Sequence, residues 1–364
     1  MFTLSDHAGR TLVDEDIMNS EKLAYLRERF GDHIEDGKIY HPDFAKAAKV
    51  PAASRAEGHS KWPIAEPATL LNLAYDAGAY GNRFAGLDVA LIGVPMDLGA
   101  GDRPGCRFGP QAVRSVSRVG PYDRVLNVSP AGDLRVKDVG DVAFTNSRSL
   151  EQCHADIEAY YSRVMDSGVI PLTVGGDHSI TYSILRALGK DRPLACVHFD
   201  AHCDTSGAYG TKYHHGAPFR QAVLDGVLDA EKCVQIGIRG GGTYHGEFSH
   251  ESGMTVIYAE DIVERGVEYA IGKIREVVGD SEVYISFDID SVDPGFAPGT
   301  GTPEVGGLTP REVLSMLRSM AGMKVVGGDV VEVAPQYDAS SNTAQITAQV
   351  LFMQLCLVAL ARQQ

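Results

Sequence analysis

Residues 193–204 read PLACVHFDAHCD, an apolar run that ends in polar side chains at every second position. Asp200, His202 and Asp204 would share one face of an extended chain, because side chains two residues apart point the same way. Carboxylates are rarely buried unless they are paired or bound to a metal. The stretch therefore predicts a buried strand that opens into a site where these side chains face charged partners or a metal.

Seven further apolar runs resemble this one and alternate with helical patterns. The runs are DVALIGVP, LRVKDVGDV, GVIPLTVGG, CVQIGIRG, MTVIYAED, EVYISFDID and KVVGGDVVEV. Helical patterns cover residues 149–168, 259–279 and 309–320, and a last helix begins near Asn342. Alternating strands and helices predict an α/β fold with a mainly parallel sheet covered on both faces. The alternation alone allows either a closed barrel or an open sheet.

The first part of the chain has a different residue pattern. It holds one plausible helix at residues 14–30, followed by turn-forming residues without a strong strand pattern. We expect an N-terminal extension over residues 1–85 and a catalytic domain over residues 86–364. Charged residues near the start predict that there is no signal peptide. The apolar stretch at 350–361 is interrupted by a glutamine, and its length predicts no membrane span.

The charge balance excludes some classes of partner. The 364 residues include 33 basic and 48 acidic side chains, which gives a net charge of −15. This charge argues against nucleic acid and anionic membranes as partners, and it mildly favours cationic substrates. The six cysteines show no CxxC pair and no framework spacing, which is typical of reduced thiols. We expect a soluble cytoplasmic enzyme.

Polar residues follow three other apolar runs in the same way. GGDHS places His178 after one run, Asp288 and Asp290 follow EVYISF, and Glu332 follows KVVGGDVV. Ligands bind at the carboxyl ends of strands in open α/β sheets and in barrels, so these side chains should converge. The predicted metal ligands are two imidazoles and four carboxylates: His178, Asp200, His202, Asp204, Asp288 and Asp290.

This set of donor atoms indicates both the metal ions and the kind of substrate. Six O and N donors without thiolate suit ions such as Mn²⁺, and six are too many for one catalytic zinc. Two ions that share carboxylates fit the count. The negative charges of four aspartates equal the positive charges of two divalent ions. A bridging hydroxide and Glu332 would each add one negative charge, which leaves the site anionic. A guanidinium would suit such a site, and its unreactive carbon needs the hydroxide that two metals can hold ready at neutral pH.

The same motifs resemble those of a known family. GGDHS, DAHCD and SFDIDSVDPGFAPGTGTP are similar to the metal-binding signatures of the ureohydrolases, the arginase and agmatinase family. The segment GVPMDLGAGDRPGCRFGPQAVR, residues 93–114, resembles the first strand and loop of that family. The resemblance runs from about Leu87 to the C-terminus and is to the agmatinase-like branch.

The resemblance implies a three-layer α/β/α fold with a mainly parallel eight-stranded sheet and a binuclear centre. The expected ions are Mn²⁺, with Ni²⁺ as the alternative. The implied ligands of the first ion are His178, Asp200, Asp204 and Asp288, and those of the second are His202, Asp200, Asp288 and Asp290. Position in HHGAPF implies that His215 shuttles protons, and position in DVVEVAP implies that Glu332 holds the guanidinium. A homo-oligomer, a trimer or hexamer, is also implied.

The sequence leaves open the chemical nature of the substrate's tail and two alternative functions. The extension is long for an agmatinase, and the loop at 205–219 carries no obvious arginase-type set for an α-amino acid. The candidates are agmatine, a guanidino acid and guanidine itself. Lys212 could meet a carboxylate, although a solvated loop lysine is the more common case, and His214 is expected to be a surface histidine. The alternative functions are a deacetylase-like amide hydrolase of related fold and a non-catalytic metal-binding subunit. A nucleotide-binding site would rest on glycine clusters such as GIRGGG, and turns explain these glycines better.

Overall fold

The computed structural model describes residues 20–30, 67–76, 84–116, 119–208, 210–241 and 243–363. Its centre is one open sheet of eight parallel strands, so the predicted parallel sheet is confirmed and is not a barrel. Each of the eight apolar runs forms a strand. The strands are β1 Val89–Gly93, β2 Val136–Asp141, β3 Ile170–Val174, β4 Leu194–Phe199, β5 Leu228–Ile238, β6 Thr255–Tyr258, β7 Glu282–Asp288 and β8 Lys324–Val331.

The strand order brings together the four strands that carry the predicted site. The order across the sheet is β2-β1-β3-β8-β7-β4-β5-β6, so β3, β8, β7 and β4 are neighbours. Their carboxyl ends are level, because Val174 pairs with Val330 and Phe199 pairs with Phe287. Side chains that follow these strands therefore emerge along one continuous edge.

Helices cover both faces of the sheet and give the three-layer architecture that the resemblance implied. The helices are α1 Ser20–Phe30, α2 Gly109–Arg114, α3 Pro130–Asp133, α4 Leu150–Asp166, α5 Ile180–Leu188, α6 Pro218–Leu224, α7 Glu247–Glu251, α8 Ala259–Arg265, α9 Val267–Val278, α10 Pro310–Ser319 and α11 Asn342–Ala361. One apolar core includes Ile157 of α4 and Ile184 of α5. The other includes Ile274 of α9 and Leu351 of α11. Burying apolar surface in two cores stabilises a sheet whose strands are apolar on both sides.

Local sequence signals set the ends of several helices. The hydroxyl of Thr309 accepts the backbone N–H of Glu312, and the Glu312 carboxylate accepts the Thr309 N–H in return. This capping box, followed by Pro310, starts α10 where the sequence predicted it. The helical pattern at 259–279 is confirmed, and the structure divides it into two helices. Gly266 has a φ of 80° and separates α8 from α9, a conformation that residues with a β-carbon rarely adopt.

The last helix, α11, begins at Asn342, as the sequence pattern predicted. It has 20 residues and is the one helix of the described chain that is long and apolar enough to cross a membrane. The apolar stretch at 350–361 is the C-terminal part of this helix. Its side chains are mostly buried, and Gln354 donates its amide hydrogen to the Asp329 carbonyl at 2.9 Å. Here α11 is a core helix packed on β8.

Part of the predicted N-terminal extension packs on the edge of the sheet. The predicted helix at 14–30 is described from Ser20 to Phe30, and its earlier residues lie outside the described part of the chain. Leu70 is fully buried, and its backbone N–H donates to the Asp138 carboxylate at 2.8 Å. Tyr75 forms a bridge to Asp138 on the edge strand β2. Residues 67–76 thus lie along the β2 edge of the sheet.

Candidate metal centre

One half of the predicted centre is built around His178. Its Nδ1 atom lies 3.2 Å from Asp200 Oδ2, 3.0 Å from Asp204 Oδ2 and 3.1 Å from Asp288 Oδ2. His178 and Asp200 are fully buried. These are the four residues that the resemblance assigned to the first ion.

The hydrogen-bond pattern shows which nitrogen of His178 carries the proton. Ser286 Oγ donates to Asp329 Oδ1 at 2.8 Å, so its oxygen accepts from His178 Nε2 at 2.9 Å. The His178 Nδ1 atom then presents a lone pair to three carboxylates, and it has no hydrogen-bond partner. A buried lone pair facing negative oxygens is unfavourable unless a cation lies between them. The geometry therefore fits a metal bound by Nδ1.

Asp329 holds this arrangement in place. Its Oδ2 atom accepts from the Thr181 hydroxyl at 2.7 Å and from the Tyr284 hydroxyl at 2.8 Å. Such buried carboxylates orient metal-binding histidines in many proteins. Neither Asp329 nor Ser286 was predicted from the sequence. Ser286 precedes Asp288 by two residues on β7, so strand periodicity could have placed both on one face.

The other half of the centre is built around His202. Its Nδ1 atom lies 3.3 Å from Asp200 Oδ1 and 3.2 Å from Asp290 Oδ2. Asp200 thus turns one oxygen to each histidine, which is the arrangement of a bridging carboxylate. Asp200, Asp288 and Asp290 also approach closely enough to share an ion. The structure brings together all six predicted ligands.

The charges of the centre need a positive partner. Burial, followed by the nearby Asp290 and Asp200, raises the pKa of Asp288 well above its usual value. Burial and Asp200 also raise the pKa of Asp290. Burial lowers the pKa of His178, but the carboxylates around it raise this pKa by more. All three groups are pushed towards binding protons, and divalent cations would relieve the same crowding. The donor set, O and N atoms without thiolate, fits two such ions.

A further histidine, His198, supports the centre from outside it. Its Nε2 atom lies 2.7 Å from Asp200 Oδ2. The amide nitrogen of Gln235 contacts His198 Nδ1 at 3.1 Å and donates to the Cys203 carbonyl at 2.6 Å. Nδ1 is therefore an acceptor, and Nε2–H donates to Asp200. His198 was not predicted from the sequence, although it lies two residues before Asp200 and shares its face of the chain.

Glu332 and His215 are bonded to each other beside the centre. Glu332 Oε1 accepts the His178 backbone N–H at 2.8 Å and contacts His215 Nδ1 at 3.2 Å, while Oε2 accepts from the Cys106 thiol at 2.9 Å. The Gly101 N–H donates to His215 Nε2 at 3.3 Å. Burial lowers the pKa of His215, but Glu332 raises it by more, to about 9. Burial raises the pKa of Glu332, and bonding to His215 lowers it below its usual value.

Two of the predicted site residues have a left-handed backbone. Asp204 has a φ of 51° and Glu332 has a φ of 63°. Residues other than glycine rarely adopt this conformation, and where they do it costs roughly 1–3 kcal/mol and is often found at functional sites. The backbone at Glu332 is fixed by its N–H, which donates to the Gly176 carbonyl at 2.9 Å. The surrounding fold therefore holds both carboxylates in positions that the local chain disfavours.

Other residues singled out in the sequence lie outside the metal cluster. Lys212 Nζ donates to the Tyr182 hydroxyl at 3.0 Å, and His214 Nε2 contacts the Gly207 carbonyl at 2.8 Å. The buried Arg239 of GIRGGG donates to the carbonyls of Asp290 at 2.7 Å and Ser291 at 3.3 Å. It therefore fixes the metal-binding loop, which gives this glycine-rich turn a structural role.

A cleft opens from the cluster to the surface. Its inner part, about 140 Å³, is lined by residues that include His202, Asp204 and Asp288. Its outer part, about 470 Å³, shares His215 and Ser206 with the inner part. A small molecule could thus reach the metal-binding side chains from solvent.

The hydroxyl of Ser286 gives a test of this supporting network. Ser286→Ala should weaken metal binding by about 10- to 100-fold, because His178 Nε2–H loses the partner that orients the ring. Competition with a metal chelator measures the affinity. Ser183→Ala is the matched control, since the buried Ser183 hydroxyl contacts a different histidine, His154 Nδ1, at 2.8 Å. Equal affinities in the two variants would contradict the role given to Ser286.

Comparison with known proteins places this geometry in a family. The Arginase family matches residues 87–356. The chain is 46% identical over 278 residues to the mitochondrial agmatinase of Gallus gallus, covering 75% of this chain and 82% of that protein. It is 41% identical over 326 residues to the mitochondrial guanidino acid hydrolase of Homo sapiens, covering 87% and 91% of the two chains.

Comparison with a solved structure also indicates the arginase family. The proclavaminate amidino hydrolase of Streptomyces clavuligerus superimposes with a TM-score of 0.77 at 38% identity, covering 83% of this chain and all of that one. The protein described here belongs to the arginase family. It carries the family's binuclear metal-site residues on the family's fold.

Proposed function

We propose that this protein hydrolyses a guanidino compound to urea and an amine or ammonia, with two divalent metal ions. The observation that carries the proposal is the unpartnered Nδ1 of His178, which faces three carboxylates a short distance from the paired Glu332 and His215. The chain's relatives include an agmatinase, a guanidino acid hydrolase and a guanidinopropionase from Pseudomonas aeruginosa. Their substrates all carry the guanidino group that this site would suit.

The metals are proposed to be Mn²⁺, with Ni²⁺ as the alternative. His178, Asp200, Asp204 and Asp288 would hold one ion, and His202, Asp200, Asp288 and Asp290 would hold the other. When bound, the ions supply a water nucleophile that is activated near neutral pH. O and N donors of this kind accept both metals. The deacetylase-like alternative needs one zinc and three ligands, and the larger donor set argues against it.

Glu332 is proposed to hold the guanidinium. The His178 N–H and the Cys106 thiol fix its two oxygens, so the carboxylate keeps one orientation. A carboxylate oxygen can accept more than one hydrogen bond, which leaves acceptor capacity on Oε2. A cation held there would have its carbon beside the metal-binding side chains, and fixing reactants in place contributes much of catalysis.

His215 is proposed to move the proton that the leaving amine needs. As a neutral ring it donates from Nδ1 to Glu332 and accepts the Gly101 N–H at Nε2. Glu332 raises the pKa of His215 to about 9, so the ring readily takes a proton near neutral pH. Nε2 lies on the cleft side of the ring, since Nδ1 is turned to the buried Glu332. A non-catalytic subunit would have no need of this arrangement.

Replacement of His215 tests that role. His215→Ala should retain both metals but lower kcat by about 10²- to 10⁴-fold, the usual contribution of a general acid or base. Steady-state urea release and metal analysis measure the two quantities. His250→Ala is the control, because His250 is an exposed ring that contacts the Tyr258 hydroxyl and lines neither part of the cleft. An unchanged kcat in His215→Ala would remove this residue from the mechanism.

A screen for urea release tests the function as a whole. The purified protein would be loaded with Mn²⁺ or Ni²⁺ and given agmatine, guanidino acids and guanidine, with an acetylated amine as the deacetylase substrate. We expect urea from at least one guanidino compound. Release of acetate without urea would favour the amide hydrolase, and no product would favour a non-catalytic subunit. We also propose a homo-oligomer, a trimer or hexamer, which light scattering on the same samples would measure.

A further inference from the structure

The outer part of the cleft is where the rest of a guanidino substrate would lie. It joins the inner part through Ser206, His215, Gly216 and His245, so a molecule with its guanidinium in the inner part, beside His215, would extend into it. Its volume of about 470 Å³ is enough for a short aliphatic chain and its end group. The chemistry of its walls should therefore select among substrates that share the guanidino group and differ in the tail.

The described residues that line the outer cleft include no carboxylate. Among the lining residues that the structure describes, none is aspartate, glutamate, lysine or arginine. Leu98, Leu150 and Tyr213 give apolar surface, while Ser206 and Thr211 give hydroxyls. An ammonium group transferred from water to such a surface loses hydration and finds no opposite charge, which is costly.

Charged residues near these walls do not supply the missing negative charge. Lys212 has its Nζ 5.0 Å from the centre of the Tyr213 ring, so one charge beside the walls is positive. Asp177 is fully buried, and each of its carboxylate oxygens accepts a backbone N–H within the fold. Asp102 and Glu151 adjoin lining residues in sequence, but both are exposed to solvent. Water and salt screen exposed carboxylates, so they would attract a cation in the cleft weakly.

We propose that the preferred substrate is a guanidino compound whose tail carries no ammonium group, so that agmatine is discriminated against. This inference rests on the proposed function and specifies its substrate class. Glu332 is the proposed counter-charge of the guanidinium, whereas no described residue that lines the outer cleft offers a carboxylate to a second cation. An uncharged tail meets Leu98, Leu150 and Tyr213, and a carboxylate tail can accept hydrogen bonds from the hydroxyls of Ser206 and Thr211.

A set of matched substrates tests the inference. Agmatine and pentylguanidine have the same length, with a methyl group in place of the ammonium, and 4-guanidinobutanoate carries a carboxylate. We expect kcat/KM for agmatine to be lower than for pentylguanidine by roughly tenfold or more, the scale of one missing interaction with a charged group. Equal or higher kcat/KM for agmatine would overturn the inference. Absence of urea from every guanidino compound would instead reject the proposed function.

A pair of variants at Thr211 tests where the tail lies. The Thr211 hydroxyl oxygen accepts the Tyr213 N–H at 3.1 Å, and the side-chain oxygen of either aspartate or asparagine can replace that acceptor. Thr211→Asp adds the missing carboxylate, and Thr211→Asn is its uncharged match. The ratio of kcat/KM for agmatine to that for pentylguanidine should be roughly tenfold higher in the aspartate variant, while 4-guanidinobutanoate should become a poorer substrate. The same ratio in both variants would show that the tail does not occupy this cleft and would overturn the inference.

Discussion

Replacement of Asp288 by alanine is expected to give a folded protein that holds neither divalent ion and forms no measurable urea. Asp288 Oδ2 is 3.1 Å from His178 Nδ1, and the carboxylate also adjoins Asp200 and Asp290 between the two halves of the centre. Removing a carboxylate that serves both ions deprives each of a ligand. Elemental analysis of protein loaded with Mn²⁺ or Ni²⁺ measures the bound metal, with about two equivalents expected in the wild type.

Asp200→Ala should behave in the same way, and Asp166→Ala should keep both ions, since Asp166 is an exposed aspartate at the end of α4. Full metal content in Asp200→Ala and Asp288→Ala would rule out the binuclear arrangement. Thermal unfolding shows whether folding is intact. Burial and the nearby carboxylates raise the pKa of Asp288, so its charge destabilises the metal-free fold above its unfolded pKa. The metal-free variant should therefore melt no lower than metal-free wild type.

Glu332→Gln is expected to lower kcat/KM by about 10³- to 10⁵-fold for every guanidino substrate, with metal content unchanged. The variant loses both guanidinium binding and support for proton transfer. The guanidinium loses its buried counter-charge, which typically costs about 2–5 kcal/mol. His215 loses the carboxylate that contacts its Nδ1 at 3.2 Å, so proton transfer also suffers. Glutamine keeps the size of the side chain, and urea release over several substrates measures the effect.

The pH profile separates these two losses. Glu332 raises the pKa of His215 to about 9, and a ring that donates a proton works below its pKa. Activity of the wild type should thus fall as pH rises through this pKa. In Glu332→Gln the pKa of His215 should be lower, so the alkaline limb of kcat/KM should move to lower pH. A loss limited to substrates with one kind of tail would place Glu332 in the specificity pocket instead.

The sequence was sufficient to predict the strands and the clustering of the six candidate metal ligands, because both follow from short-range patterns. Eight apolar runs predicted the eight strands, and alternate polar residues after them identified side chains such as Asp200 and His202. The convergence of these side chains needed only the rule that ligands bind at the carboxyl ends of parallel strands. The break at Gly266 was missed because a glycine within a helical pattern does not reveal its backbone angle.

The supporting groups could not be predicted, because they depend on which strands are neighbours. Asp329 meets Ser286 only because β8 lies beside β7, and Gln235 meets His198 only because β5 lies beside β4. The runs in the sequence do not give this order. The left-handed backbone of Glu332 is likewise imposed by its surroundings, since its own residue type disfavours it.

During synthesis, a growing chain cannot load its metals until almost all of it has left the ribosome. His178 and Asp200 follow β3 and β4, yet β8 and β7 lie between these two strands in the sheet. The first two donors are therefore brought together by strands made more than eighty residues later. Metal affinity then belongs to the completed fold, as in other proteins where binding and folding are linked. Metal capture during translation would be a late event, close in time to the release of the finished polypeptide.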